Sequence, residues 1–187
     1  MNDIQTIGHF SKKDKLCRTC WNVAYALLFR PFGTPLLWWW RRWILIAFGA
    51  KVHRTAHVYS SVRITAPWNL RMERDTCLAP HVVCYNHAMV KLMEGATVSQ
   101  YSVLCTAGHD YTTGKGAHSE VIIAPITLRP HAWVTSNSFV NLGVEVGERA
   151  IVGAAAAVFK DVEPYTIVGG NPARVIKTIP HPDIDAE

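Results

Sequence analysis

The sequence predicts an all-β chain wound into a parallel β-helix behind a short N-terminal helical segment. Three observations carry this. Apolar residues return every six positions from Val52 to Val162, the period pauses once over a polar stretch, and residues 16–49 lack it altogether.

An amphipathic helix repeats its apolar residues every three or four positions and an exposed strand every two. A period of six marks one short strand plus a turn per repeat. "LRPHAW", "VTSNSF", "VNLGVE", "VGERAI", "VGAAAA" and "VFKDVE" follow one another from Leu128 without a slip, each opening on Leu or Val. Their fifth places hold Ala132, Ser138, Val144, Ala150, Ala156 and Val162, compact residues suited to a tight corner. Three hexads close a triangular coil, and coils stack through backbone hydrogen bonds at about 4.8 Å.

Earlier hexads obey the same rule with small slips. "LMEGAT", "VSQYSV" and "LCTAGH" run from Leu92 in the same register. "MERDTC", "LAPHVV" and "CYNHAM", from Met72, are displaced by two residues at Val90-Lys91; "VHRTAH", "VYSSVR" and "ITAPWN", from Val52, are displaced by a further two at Leu70-Arg71. These hexads make about five coils, a prism roughly 24 Å tall. The pause falls in "LCTAGHDYTTGKGAHSE" (104–120), and the register resumes at Leu128. The loop, about 110–127, is therefore an insertion into the prism rather than its end.

A chain of 187 residues suits one domain with a substantial core. The boundaries expected are a Trp/Arg-rich helical segment over 1–50, the β-helix over 51–178 and a tail over 179–187. The net charge of +5 and pI near 9.0 suit nucleic acid, an anionic membrane or a phosphorylated small molecule. No RRM, zinc-finger or helix-turn-helix signature accompanies that charge, which sets nucleic acid aside. Five cysteines, an odd number without a secreted-scaffold spacing, favour a reduced, cytoplasmic setting. The lone CxxC of Cys17 and Cys20 lacks the second pair a zinc knuckle needs. The first sixteen residues are too polar for a secretory signal.

Within 16–49, Arg30-Pro31, Gly33-Thr34-Pro35 and Arg41-Arg42 interrupt the apolar run, so neither half reaches the ~20 residues of a membrane span. Two helices are expected instead, about 15–30 and 35–48. They would cap the open end of the prism or pack between subunits. They would equally serve as an interfacial anchor, with tryptophans among lipid headgroups and arginines meeting anionic lipid at the inner membrane face.

With the repeat, "TAGHDY" (106–111) and "IVGGNPARVIK" (167–177) in view, the chain resembles the hexapeptide-repeat acyltransferases over about residues 50–178. The resemblance extends to the galactoside and maltose O-acetyltransferases. It also takes in colanic-acid-type exopolysaccharide acetyltransferases, through the lead-in ending "FGAKV" and through "VRITAPWNL" (62–70). It implies a left-handed parallel β-helix working as a homotrimer. The activity implied is acetyl-CoA-dependent O-acetylation of a sugar hydroxyl in exopolysaccharide biosynthesis, with no metal.

The family histidine stands where the loop leaves the prism, and His109 matches it. An alcohol attacking a thioester must lose its proton, and a neutral imidazole can accept it in the transition state. Coil arithmetic stacks His87 under Ala107 and Asn86 under Thr106, making both candidates for contact with the sugar acceptor. Trp133 matches the tryptophan beside the pantetheine arm in the family. Lys160 and Arg174, with Lys177 a weaker third, match the basic positions that meet the phosphates of acetyl-CoA. Gly153 and Ala154 would let the cosubstrate lie close to the wall. Several hexads replace the usual second-place glycine (Glu73, Ala79, Met93, Thr135, Asn141), which keeps a non-catalytic trimeric scaffold open. A third reading is a β-helix zinc hydratase built from His81, His87, His109 and His118. His81 and His87, six apart, fall on adjacent faces, which disfavours that reading.

Overall fold

The computed structural model describes residues 4–7 and 11–181; the ends of the two terminal segments named above lie outside those residues. A triangular prism of stacked coils accounts for the period of six. Its first face is built from Lys51–Val52, Leu70–Met72, Val90–Leu92, Ile126–Leu128 and Glu145–Val146, all parallel. The second runs from His57–Val58 through Cys77–Leu78, Thr97–Val98, Trp133–Val134 and Ile151–Val152 to Thr166–Gly169, which begins a sixth turn. The third holds Arg63–Ile64, Val83–Tyr85, Val103–Cys105, Phe139–Val140 and Ala157–Val158. The first residue of every hexad points inward, and Leu78, Val98, Val134 and Val152 form one of the resulting columns with no exposed surface.

Corners decide where the register slips. Fifth-place residues such as Ala96, Ser102, Ala132 and Ala150 fill two of the three edges. On the third edge, where the third face returns to the first, the lower coils bury the third-place residues Ala66, Asn86 and Thr106 instead. The extra residues bring Leu70 and Val90 into the core just ahead of Met72 and Leu92. Both two-residue slips and the long insertion thus share one edge. Fourth-place residues adopt left-handed conformations, including His81 (φ 63°), Tyr101 (φ 62°) and Ala155 (φ 57°). Such turns cost about 1 kcal/mol each for residues with a Cβ. Amide bonds between stacked corners offset this, as from Tyr101 to Pro80 at 3.2 Å and Ala155 to Ser136 at 3.0 Å.

The helical segment answers a problem posed by the coils. Strand amides of each coil donate to the next, as His53 does to Met72, Tyr59 to Leu78 and Thr65 to Cys84. Strand carbonyls of the first coil therefore have no donor coil beneath them. Helix α1 (Lys12–Ala24), capped by Ser11, and helix α2 (Trp38–Ala47) cover that end. Arg42 Nε donates to Val52 O at 2.9 Å, Arg41 Nε to Val58 O at 2.9 Å and Trp21 Nε1 to Ile64 O at 2.6 Å. One side chain thus serves each face. Arg41 also donates to Phe32 O and Thr34 O, lies 4.5 Å from the Trp38 ring, and is 1% exposed. The sequence expectation of two helices holds, with α1 starting three residues earlier and ending in a π-turn over Tyr25–Phe29 before Pro31.

Removing a buried donor leaves its acceptors desolvated without a partner, which costs about 1–3 kcal/mol per group. Arg41→Met should lower stability by about 3 kcal/mol, a fall in Tm of roughly 6–12 °C, and Trp21→Phe by about half as much. Thermal unfolding followed by circular dichroism checks both.

Candidate active site

At the exit from the third coil the chain leaves the prism as an antiparallel hairpin. Ala107–His109 pairs with Val121–Ile123, His109 standing opposite Val121, and Gln5–Ile7 adds a third strand outside. Gly108 permits the close approach: a Cβ there would stand 3.0 Å from Leu142 Cδ2 in the next coil. The hairpin tip is braced by Asp110, whose carboxylate accepts from the amide and hydroxyl of Thr112. Those bonds hold its pKa below the usual carboxylate value. His109 is exposed, and its Nδ1 lies 3.1 Å from the carbonyl oxygen of Ser119. A carbonyl only accepts, so Nδ1 carries a proton, and in the neutral ring the lone pair is left on Nε2.

The pairing of Cys105 with Tyr85 continues the column as the arithmetic predicted, placing Asn86 beneath Thr106 and His87 beneath Ala107. The two then diverge. Asn86 is fully buried: Oδ1 accepts from the amides of Thr65 and Ala66, and Nδ2 donates to Ala66 O and Asn69 O. Its amide holds the corner of the first coil, so it reaches no acceptor, and the sequence expectation of a sugar contact is corrected there. An amide group at a corner that otherwise takes Ala or Thr is what the spacing could not interpret. His87 is half-buried against Tyr85, ring centroids 4.4 Å apart. Burial pushes its pKa down to about 4, the nearby Arg18 charge adding to the shift and Asp14 opposing it.

The remaining candidates divide between two regions. Lys160 and Arg174 line one cleft of about 540 Å³ at the far end of the prism, with Phe159, Pro172 and Val175. Lys160 shares the edge from which the His109 hairpin emerges, two coils further along. Gly153 and Ala154 lie on the edge between the second and third faces, in a stretch whose outer surface is nearly free of side chains. Trp133 projects from the second face, 45% exposed, its indole N–H bonded to Ser99 Oγ at 2.9 Å. Lys177 is exposed on the closing strand Arg174–Thr178, opposite Ile167. One chain therefore gathers His87, His109 and Lys160 along one edge and leaves Trp133, Gly153 and Ala154 elsewhere. His81 lies on another edge from His87, and among the described residues no three His, Cys, Asp or Glu form a metal-binding group.

No protein-family model matches the chain. It is 31% identical over 157 residues to WcaF of Escherichia coli (strain K12), assigned to colanic acid biosynthesis as an acetyltransferase; the match covers 84% of each chain. The chain belongs to the hexapeptide-repeat acetyltransferases. A solved hexapeptide-repeat acetyltransferase from Vibrio cholerae O1 biovar eltor, complexed with acetyl coenzyme A, superimposes with a TM-score of 0.80 at 22% identity. That likeness covers 92% of this chain and 94% of the other. A galactoside acetyltransferase in complex with coenzyme A gives 0.83 at 20% identity, covering 94% and 87%.

Around this acetyltransferase's hairpin the structure adds residues the sequence did not single out. Gln5–Ile7 braces the loop, a contact that only tertiary structure reveals. Tyr85, 43% exposed, faces a groove between α1 and the third face, and Arg63 stands on the same face one coil lower. The sequence showed both as alternating outward positions, without a signal to separate them from other surface residues.

The depressed His87 pKa has a stability consequence. Below the ordinary histidine value near 6.5, the unfolded chain takes up a proton that the folded chain refuses until about pH 4. Stability therefore falls as the pH drops through that window and levels off beneath it. His87→Gln should shallow the decline, measured as Tm against pH from 7 to 4.

Proposed function

We propose that this protein transfers an acetyl group from acetyl-CoA to a sugar hydroxyl, with His109 as general base. The observation that carries this is the Ser119 carbonyl on His109 Nδ1, which fixes the tautomer and turns a basic Nε2 outward. The acceptor hydroxyl gives its proton to Nε2 while its oxygen attacks the thioester carbonyl carbon. As the tetrahedral adduct collapses, the C–S bond breaks and the imidazolium returns the proton to the departing CoA sulfur. No covalent enzyme intermediate is needed.

The cleft at Lys160 and Arg174 suits the charged end of acetyl-CoA, offering two cations beside the apolar Phe159 and Val175. The solved relatives that hold acetyl-CoA or CoA support this use. Lys177 extends the basic strand. Candidates on two separate regions of the prism support a homotrimer, in which Trp133, Gly153 and Ala154 of one copy would approach the His109 edge of the next. Relatedness to WcaF supports a sugar acceptor in exopolysaccharide assembly.

His109→Ala should lower kcat by about 10²–10⁴-fold while leaving the trimer and acetyl-CoA binding intact. Thiol release with a panel of sugar acceptors, beside sedimentation of the variant, measures this. Full residual activity would reject the base, and stoichiometric zinc in the purified protein would favour the hydratase reading.

The helical segment supports peripheral attachment to an anionic membrane at its inner face. No described helix is long and apolar enough to cross a bilayer. Leu36, Trp39 and Trp43 are 86%, 58% and 57% exposed on the outer side of α2 and its lead-in. Asp14, paired with Arg18, is the only acid in residues 11–49, and beside the buried Arg41 this leaves Lys12, Lys13, Lys15, Arg30 and Arg42. Apolar rings flanked by cations suit an interface of anionic headgroups. The triple variant Leu36→Gln, Trp39→Gln, Trp43→Gln should lose flotation with anionic liposomes, and recovery equal to the natural protein would overturn the attachment. Point changes are preferable to truncation because the same segment caps the prism.

A further inference from the structure

Between α1 and the third face lie two adjoining hollows that together form a groove. One, about 310 Å³, is lined by Thr65 and Tyr85 and leads toward His87, under the His109 hairpin. The other, about 300 Å³, lies at the opposite side of the face and is lined by Arg30, Ser61, Arg63 and Tyr101. Tyr25, Arg63 and Val83 line both, so the two parts adjoin along the third face.

The arginines set the second part apart. Arg41 and Arg42 are bound to carbonyls and Arg18 is paired with Asp14. Among the described residues, neither Arg30 nor Arg63 has a carboxylate partner. Both nonetheless lie close enough to Tyr25 for their charges to favour its ionised form, although burial raises the hydroxyl's pKa overall. Two guanidinium groups lining one cavity, with no carboxylate partner among the described residues, complement a dianion better than a single carboxylate. Tyr101, stacked on His81 at 4.8 Å with rings nearly parallel, and the Ser61 hydroxyl complete a polar, aromatic floor.

Position gives the pocket its meaning. Arg63 belongs to the first coil, the His109 hairpin leaves the third, and Lys160 belongs to the fifth. Arg63 and Lys160 are thus about 19 Å apart along the prism at four coil spacings. The cation pair is too far from the acetyl-CoA cleft to share that ligand's phosphates. Leu27, Leu28 and Phe32, close to Arg30 in the chain, are exposed, an apolar track on the same segment.

We propose that the acceptor is a glycosyl phosphate or diphosphate, its phosphate held by Arg30 and Arg63 and its sugar lying along Tyr85 toward His109. This rests on the acetyltransferase reading above and names its substrate class. The apolar track favours a lipid-linked acceptor over a nucleotide-linked or free sugar phosphate.

Binding and turnover test it separately. Inorganic pyrophosphate, titrated into protein saturated with CoA and followed by ³¹P NMR, should bind the natural protein and bind Arg30→Gln/Arg63→Gln at least tenfold more weakly. Equal binding, or none to either, would overturn the site whether or not any sugar is acetylated. In turnover, a polyprenyl-diphosphate sugar, a sugar 1-phosphate and the same sugar uncharged are compared. The double variant should raise KM for the phosphorylated acceptors about tenfold, leaving the uncharged sugar and acetyl-CoA unaffected. An equal loss on all three would mean that the arginines serve the fold. A preference for the prenyl form supports the lipid-linked source, and an equal or greater preference for the sugar 1-phosphate overturns that source while retaining the phosphate site. Pyrophosphate binding in His109→Ala keeps failure of the base distinct from failure of this site.

Discussion

A stack of coils with one hydrogen-bond polarity cannot close on itself, and much else in this molecule follows from that. Strand amides point toward the C-terminal end, so the first coil presents carbonyls with nothing beneath them. Water could satisfy them only if the inward apolar column above were left open at its base. Trp21, Arg41 and Arg42 resolve the conflict by giving each face one donor from a side chain whose remaining bulk is apolar. At the other end the chain turns back, and Arg174–Thr178 runs antiparallel against the last rung of the second face. The Trp/Arg richness of the N-terminal segment is therefore partly a structural need. What exceeds that need is the outer apolar face of α2 and the charge of Arg30, which has no carboxylate partner among the described residues.

Distributing irregularity along one edge is the second organising feature. Two faces and two edges repeat almost without variation, which gives a rigid wall. The third edge absorbs the two-residue slips and the hairpin carrying His109. A loop on a rigid support can hold a reactive group in place while remaining open to solvent. The imidazole's bond to the Ser119 carbonyl does more than position the ring, since in the neutral form it also leaves the lone pair on Nε2. The cleft of Lys160 and Arg174 lies toward one end of the prism and the cationic groove toward the other. Donor and acceptor would thus meet at the hairpin from opposite directions.

Residues that looked alike in sequence differ sharply in situation. Asn86 and His87 are neighbours predicted to face the acceptor together, yet one amide is buried in the corner and the other ring stands at the groove's end. Third-place residues point inward wherever the corner is lengthened, and lengthening is a property of the whole edge. Arg30, Arg41 and Arg42 likewise read alike, as interruptions of one apolar run. Two of them answer coil carbonyls and the third does not, and that distinction depends on where α1 and α2 land on the prism.

The sequence by itself determined the coil, because a period of six is a local rule that each hexad obeys independently and backbone bonding then stacks. It also located the insertion beside His109, since an insertion that preserves register must leave and rejoin at one corner; it did not show that the chain leaves as a hairpin from Ala107 onward. Tertiary structure alone decided the tautomer of that histidine, the different roles of Asn86 and His87, and the division of arginines between capping and the groove. Each of those depends on a contact between segments far apart in the chain. Such contacts leave no period to read, because the partners share a place only after the prism has formed.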